Sequence, residues 1–279
     1  MTTPTAPSAP PTTPASPAVP SAPLISEPAP TATPVPLARR ALAEALGTGL
    51  LVTIVVGSGI MAQRLCDGNV GLELLADSTA TALGLAVLIL ILAPVSGAHF
   101  NPVVTVADLV LNRQRSVAAA GGVTAAGSAA TSAPRQAVVS IAAQFAGGIG
   151  GALLANAMFG LSVVGISTHL RSGAPLWLGE VVATAGLILL VFSLDRTGKP
   201  HAAPAAVGAY IGAAYWFTSS TSFANPAVTV AREFTDTFAG IAPSCVTGFI
   251  LAQLLGAAIG TALVAALYPR TSTVPRSRP

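Results

Sequence analysis

The chain has 279 residues, of which 52% are hydrophobic and only 8% charged. A soluble domain carries about a quarter charged residues, so this composition excludes a chain that lives mainly in water and points to an integral membrane protein. The net charge of +3 comes from basic residues scattered singly through short polar gaps, which argues against a nucleic-acid partner, since no Lys/Arg cluster is interleaved with aromatics.

In chain order, residues 1–36 are Pro, Thr, Ala and Ser with one charge, Glu27, and hold twelve of the 23 prolines. Such a stretch has no apolar period to bury and is expected to be a disordered, partly polyproline tail. No basic region precedes an apolar one there, so it is not a signal peptide. Six apolar segments follow, at about 37–62, 78–97, 137–160, 176–194, 202–218 and 242–267. Most approach the twenty or so residues that span a bilayer as helix; the fifth is the short one. An Ala/Gly/Ser/Thr-rich linker is expected at about 116–134, and a C-terminal tail over 269–279.

Between the second and third segments stands Asn101-Pro102-Val103-Val104-Thr105-Val106-Ala107, and between the fifth and sixth Asn225-Pro226-Ala227-Val228-Thr229-Val230-Ala231. An Asn cap with Pro at the first helical position opens a helix, so each copy predicts a half-helix, about 101–112 and about 225–235. Two interrupted helices in corresponding places of a hydrophobic chain mark a binding or conduction site near the membrane midplane.

With a cytoplasmic N-terminus, Arg39, Arg40, Arg113, Arg115, Arg135, Arg196, Lys199, Arg270, Arg276 and Arg278 fall inside and Arg64, Arg171 and Arg232 outside. The positive-inside rule therefore places both termini in the cytoplasm of a multi-pass cell-membrane protein. The first half-helix then dips in from the cytoplasm and the second from outside. Glu44-Ala45-Leu46-Gly47-Thr48 is echoed by Glu180-Val181-Val182-Ala183-Thr184, and Ala143-Gln144-Phe145-Ala146-Gly147 by Ala252-Gln253-Leu254-Leu255-Gly256. With three spans per copy, about 37–160 and about 176–268, this is an inverted repeat.

Ser96-Gly97-Ala98-His99-Phe100-Asn101-Pro102, the Asn-Pro-Ala at 225–227 and the Glu-x-x-Gly-Thr of the first segment together resemble the aquaporin (major intrinsic protein) family, over about 37–268. The resemblance implies an all-α membrane fold of six transmembrane helices plus two re-entrant half-helices that meet in a single-file pore. It implies a homotetramer with one pore per subunit, in a lipid bilayer, and no cofactor. Asn101 and Asn225 would turn carboxamide donors toward the lumen, where the positive ends of both half-helices also point and disfavour cations. Pro102 and Pro226 would start the half-helices and Ala227 pack at the junction. Val103 stands in place of the family's Ala and is expected to tighten that contact.

Glu44 and Glu180 are costly in hydrocarbon and must face a polar interior. The resemblance implies that they accept hydrogen bonds from the non-helical backbone before each half-helix; a proton-relay pair is the alternative. His99 is expected to pack the loop or edge the lumen rather than ligate a metal. His169 and His201 read as solvated loop residues.

Most family members carry an Arg directly after the second Asn-Pro-Ala, facing a His or Gly from helix five and an aromatic from helix two. Here that Arg position is Val228, and gapless counting from the asparagines puts the other filter positions at Thr81, Ala213 and Ser222. This predicts a constriction widened and stripped of large groups, suited to glycerol-like solutes or undissociated metalloid acids such as arsenite. Arg232, two turns after Asn225, either restores a positive charge at the outer mouth or anchors at the interface beside Glu233 or Asp236. A strict water channel and an ion-coupled carrier are the competing functions, and a pore closed by dewetting a third. No nucleophile with a base, phosphate loop or metal cluster supports an enzyme. Cys66 and Cys245 are too few for a disulfide framework and read as separate thiols, with a disulfide between them the alternative. Gly147, Gly148, Gly150, Gly151, Gly256 and Gly260 are expected to let helices approach closely.

Overall fold

The structure, a computed structural model, describes residues 35–119 and 125–269, with side chains outside 112–132. The tail expected over 1–36 lies outside the described residues apart from Val35 and Pro36, as does the C-terminal tail apart from Pro269. Among the described residues there are eight α-helices: α1 (Leu37–Leu65), α2 (Val70–Ser96), α3 (Pro102–Ala119), α4 (Ala125–Met158), α5 (Ala174–Arg196), α6 (Ala203–Phe217), α7 (Pro226–Ala231) and α8 (Pro243–Leu267). Single 3₁₀ turns at Pro200–Ala202 and Arg232–Phe234 extend α6 and α7.

Five of these, α1, α2, the part of α4 from Ala133, α5 and α8, are long and apolar enough to cross a bilayer. The fifth expected span is α6, which has 15 residues and reaches membrane length only with its preceding turn. The fold is the expected one, six membrane helices and two half-helices. Three crossing helices (α4, α5 and α6) separate α3 from α7, so the half-helices enter from opposite faces.

Some boundaries differ from the sequence reading. Helix α2 starts at Val70, not 78, because Asn69 caps it by accepting from the Leu72 amide at 3.1 Å. Its first two turns bury Glu73 and Asp77, at 5% and 1% exposure, and charged residues of that kind are what ends an apolar-run reading. Helix α3 runs to Ala119, past the 112 expected for the first half-helix, and the linker expected at 116–134 is helical except for the undescribed 120–124, as its alanine content permits. The second half-helix is shorter than 225–235, because the chain tightens to a 3₁₀ turn at Arg232.

The packing repeats with the sequence. Helix α1 packs on α2 and α4 as α5 packs on α6 and α8, α2 also packs on α6, and both half-helices rest against α4 and α8. The crossings are set by glycine. A Cβ at Gly147 or Gly151 would collide with the carbonyls of Ala45 or Gly49, and one at Gly256 or Gly260 with those of Val181 or Ala185. These are small-xxx-small contacts of the kind that lets membrane helices touch backbone to backbone. Gly150 is a correction to the expected set, since nothing lies within 4 Å of its Cβ position. Leu83, Val87, Leu90 and Ile91 on α2 and Leu251, Leu254 and Leu255 on α8 are exposed, the surface a hydrocarbon solvent requires.

Candidate functional site

Backbone geometry builds the centre. Ala98 and Phe100, three and one residues before Asn101, have φ of 51°, and Ser222 and Ala224, three and one before Asn225, have 52° and 49°. Each left-handed residue costs about 1–2 kcal/mol, and such strain persists only where surroundings over-determine it. The stabilising groups are the two buried glutamates. The Glu44 carboxylate accepts from the amides of His99 (3.1 Å) and Phe100 (2.8 Å), the Ser96 hydroxyl (2.6 Å) and the Gln144 amide (2.7 Å). That of Glu180 accepts from the amides of Phe223 (2.9 Å) and Ala224 (2.8 Å) and from Gln253 (2.6 Å). Buried donors that would otherwise lack partners at membrane depth are thereby satisfied.

Gln144 and Gln253 then bridge to Thr105 (3.0 Å) and Thr229 (2.9 Å), whose hydroxyls donate to the carbonyls of Asn101 and Asn225. The repeat alignment contained both glutamines, but without a third dimension nothing in it assigned them a role.

Each asparagine ties its own half-helix to the other. Asn225 Oδ1 accepts from the amides of Ala227 (3.0 Å) and Val228 (3.3 Å), and Asn101 Oδ1 from that of Val103 (3.1 Å). Asn101 Nδ2 donates to the Ala224 carbonyl at 2.8 Å and Asn225 Nδ2 to that of Phe100 at 2.7 Å. A carboxamide has two N–H groups, so one remains on each for the lumen. Pro102, Pro226 and Ala227 are buried at the starts of the half-helices. Val103 is buried, and it also lines a separate groove between α3 and α8.

A cavity of about 120 Å³ passes this centre. Asn101, Asn225, Val228, Thr81, Ser222 and His99 line it, as do Tyr215, Phe223 and Arg232, which the filter count omitted. Ala213 is exposed on α6, so it is not a filter residue. The aromatic that α6 brings to the cavity is Tyr215, whose hydroxyl lies 3.3 Å from that of Thr81. Ser222 Oγ is buried and has no hydrogen-bond partner among the described residues, which leaves it available to a solute. His99 Nδ1 lies 3.1 Å from the Thr105 hydroxyl, at the edge of the cavity.

Arg232 is 2% exposed, donates through Nε to the Ala239 carbonyl and holds its guanidinium 3.4 Å from the centre of the Phe223 ring. The expectation that the constriction lacks an aromatic and a guanidinium is therefore corrected, and so is the interfacial-anchor reading of Arg232. Asn225, Val228 and Arg232 follow one face of α7 and its 3₁₀ turn, so the cation enters the wall one turn beyond the expected position.

Arg171, in the loop between α4 and α5, backs the same ring at 5.5 Å and donates to the carbonyls of Gly240 (2.8 Å) and Phe238 (2.9 Å). Burial, and after it the neighbouring Arg232 charge, push the Arg171 guanidinium down to about 10. Cys66 and Cys245 are both free; Cys245 Sγ accepts from the Arg171 amide at 3.3 Å.

Comparison with known proteins agrees with this geometry. The family model described as major intrinsic protein matches residues 31–224. Aquaglyceroporin AqpS of Rhizobium meliloti (strain 1021) is 46% identical over 228 residues, covering 82% of this chain and 89% of the relative. The X-ray structure of the aquaglyceroporin from Plasmodium falciparum superposes with a TM-score of 0.56 at 16% identity, over 82% of this chain and 96% of that one, a likeness of fold. With the family match covering well over half of the sequence, and a relative of that identity over four-fifths of it, the chain belongs to the major intrinsic protein family.

Proposed function

We propose that the protein is a passive membrane channel for water and small uncharged solutes, with glycerol-like polyols and undissociated metalloid acids such as arsenite among them. The carrying observation is the two-sided cavity. Leu51, Val55, Leu85, Ile89, Leu187, Val191, Val207 and Ile211 form an apolar wall, and the left-handed segments before Asn101 and Asn225 form the polar one. A polyol has a hydrocarbon face and a hydroxyl edge and so matches both walls; an ion finds partners on the polar wall alone, because an apolar wall replaces none of its hydration. Relatives named aquaglyceroporin support the same solute class.

The assembly is a homotetramer with one pore per subunit, and both termini face the cytoplasm, as the basic-residue distribution suggests. Arg232, Val228, Thr81, Ser222, Tyr215 and Phe223 act as the selectivity region, Asn101 and Asn225 as the central donors, and Glu44 and Glu180 as structural supports. No step of this function needs a catalytic group.

Stopped-flow swelling of proteoliposomes tests the reading on wild type and on Val228→Arg. The expected outcome is non-saturating downhill flux of water, glycerol and arsenite, with the substitution suppressing the larger solutes and sparing water. Fast water flow with glycerol and arsenite excluded would make it a strict water channel. Saturable, ion-dependent uptake would make it a carrier, and no flux of any solute would make it a closed pore.

A further inference from the structure

Asp77 has no place in the function as described so far. It is a buried carboxylate in a membrane helix, which marks a functional group by default because its burial is costly. Asp77, Thr81 and Leu85 lie one turn apart on one face of α2, and the last two line the cavity. Asp77 Oδ1 accepts from Ser58 Oγ of α1 at 2.8 Å and from Thr81 Oγ1 at 3.5 Å, and the Thr81 hydroxyl meets that of Tyr215. A polar chain thus runs from a carboxylate behind the wall to two hydroxyls on it.

Arg232 lines the same cavity as Thr81 and Tyr215, and both it and Arg171 sit on the ring of Phe223. Both are within electrostatic reach of Asp77, and so is Glu180 within reach of both. The Glu180 carboxylate accepts from neutral backbone amides and from Gln253, which leave its charge in place. Without Asp77, these two cations would face Glu180 alone, and the positive charge left in excess beside a narrow, partly apolar constriction would attract anions, an effect that the low effective dielectric there would magnify.

We propose that Asp77 is a specificity-determining residue of the constriction: its carboxylate, behind Thr81 and Tyr215, offsets the guanidinium charge of Arg232 and Arg171, so that neutral solutes pass and small anions do not. The inference rests on the channel reading above. Asp77 is a positioning residue in this role, touching the lumen through Thr81 and Tyr215 and through its field.

The test is anion flux, nitrate and formate, beside glycerol flux in proteoliposomes. Asp77→Asn keeps the shape and an acceptor oxygen for Ser58 while removing the charge. It is expected to pass anions about tenfold faster than wild type while conducting glycerol. Ser58→Ala keeps the charge and is expected to stay anion-tight. In Asp77→Asn/Arg232→Gln the charges again balance more closely, and anion exclusion is expected to return.

Should Asp77→Asn fail to fold, Arg232→Gln alone decides, since it leaves Asp77 in relative excess and should raise cation over anion permeability. The proposal is overturned by an anion-tight, glycerol-conducting Asp77→Asn, by a double variant as leaky as the single, or by an Arg232→Gln of unchanged ion selectivity. A wild type that conducts no glycerol would instead overturn the channel reading itself.

Discussion

At the scale of single residues, the asparagines combine two tasks that substitution can separate. Asn225 Oδ1 caps α7, and its Nδ2 bonds the Phe100 carbonyl of the other half. Asn225→Ala removes both, so about 1 kcal/mol for the cap and a similar amount for the stranded carbonyl should be lost. Asn225→Asp keeps a capping oxygen but sets a negative charge where only donors faced the lumen. Thermal unfolding in detergent should show the Ala variant lowered, and conductance should show a cation leak in the Asp variant above that of the Ala variant. Equal leaks would mean that the half-helix ends alone exclude cations.

The same scale shows why part of the constriction was illegible in sequence. Counting without gaps assumed a connection of standard length after α6. The chain places Tyr215 in the cavity and Ala213 outside, and two residues on a helix are a rotation of about 200°, which exchanges inside for outside. Val228 was correctly located on the wall, but nothing in one dimension could show that Arg232 lies on the same wall, folded over Phe223, and not at the interface.

At the scale of elements, the half-helix starts and the glutamate supports were legible because each is a local pattern stated twice. The start of α2 was not, since a carboxylate reads as water-exposed until Ser58 of another helix is placed beside it. The glycines of the helix crossings were legible as composition, though only geometry separates Gly151, whose Cβ position is pressed on the Gly49 carbonyl, from Gly150, whose Cβ position has nothing within 4 Å. That contrast gives a prediction. Gly151→Val must push α1 from α4 and should cost about 1–3 kcal/mol or prevent folding, whereas Gly150→Ala should be neutral or slightly stabilising through helix propensity. Unfolding midpoints of the two variants measure the difference, and a Gly151→Val protein as stable as wild type would mean that the α1–α4 contact is looser than described.

At the scale of the whole molecule, the two halves are joined by reciprocal bonds, each asparagine donating to the carbonyl that the other half's glutamate holds in place. Glu44→Gln and Glu180→Gln each put an amide NH₂ against backbone N–H donors and a glutamine NH₂. Each should therefore cost about 3 kcal/mol, the penalty of stranding buried donors. For independent sites the double variant would lose the sum. Here the first substitution already releases the Phe100 or Ala224 carbonyl to which the opposite asparagine was bonded, so part of the second loss has been taken before the second substitution is made. Unfolding free energies of the single and double variants should accordingly be less than additive, by about 1 kcal/mol for the shared bonds, and either single variant should reduce water flux as much as the other. Strict additivity would mean that the halves support their half-helices separately, and unequal flux losses that one half alone shapes the lumen.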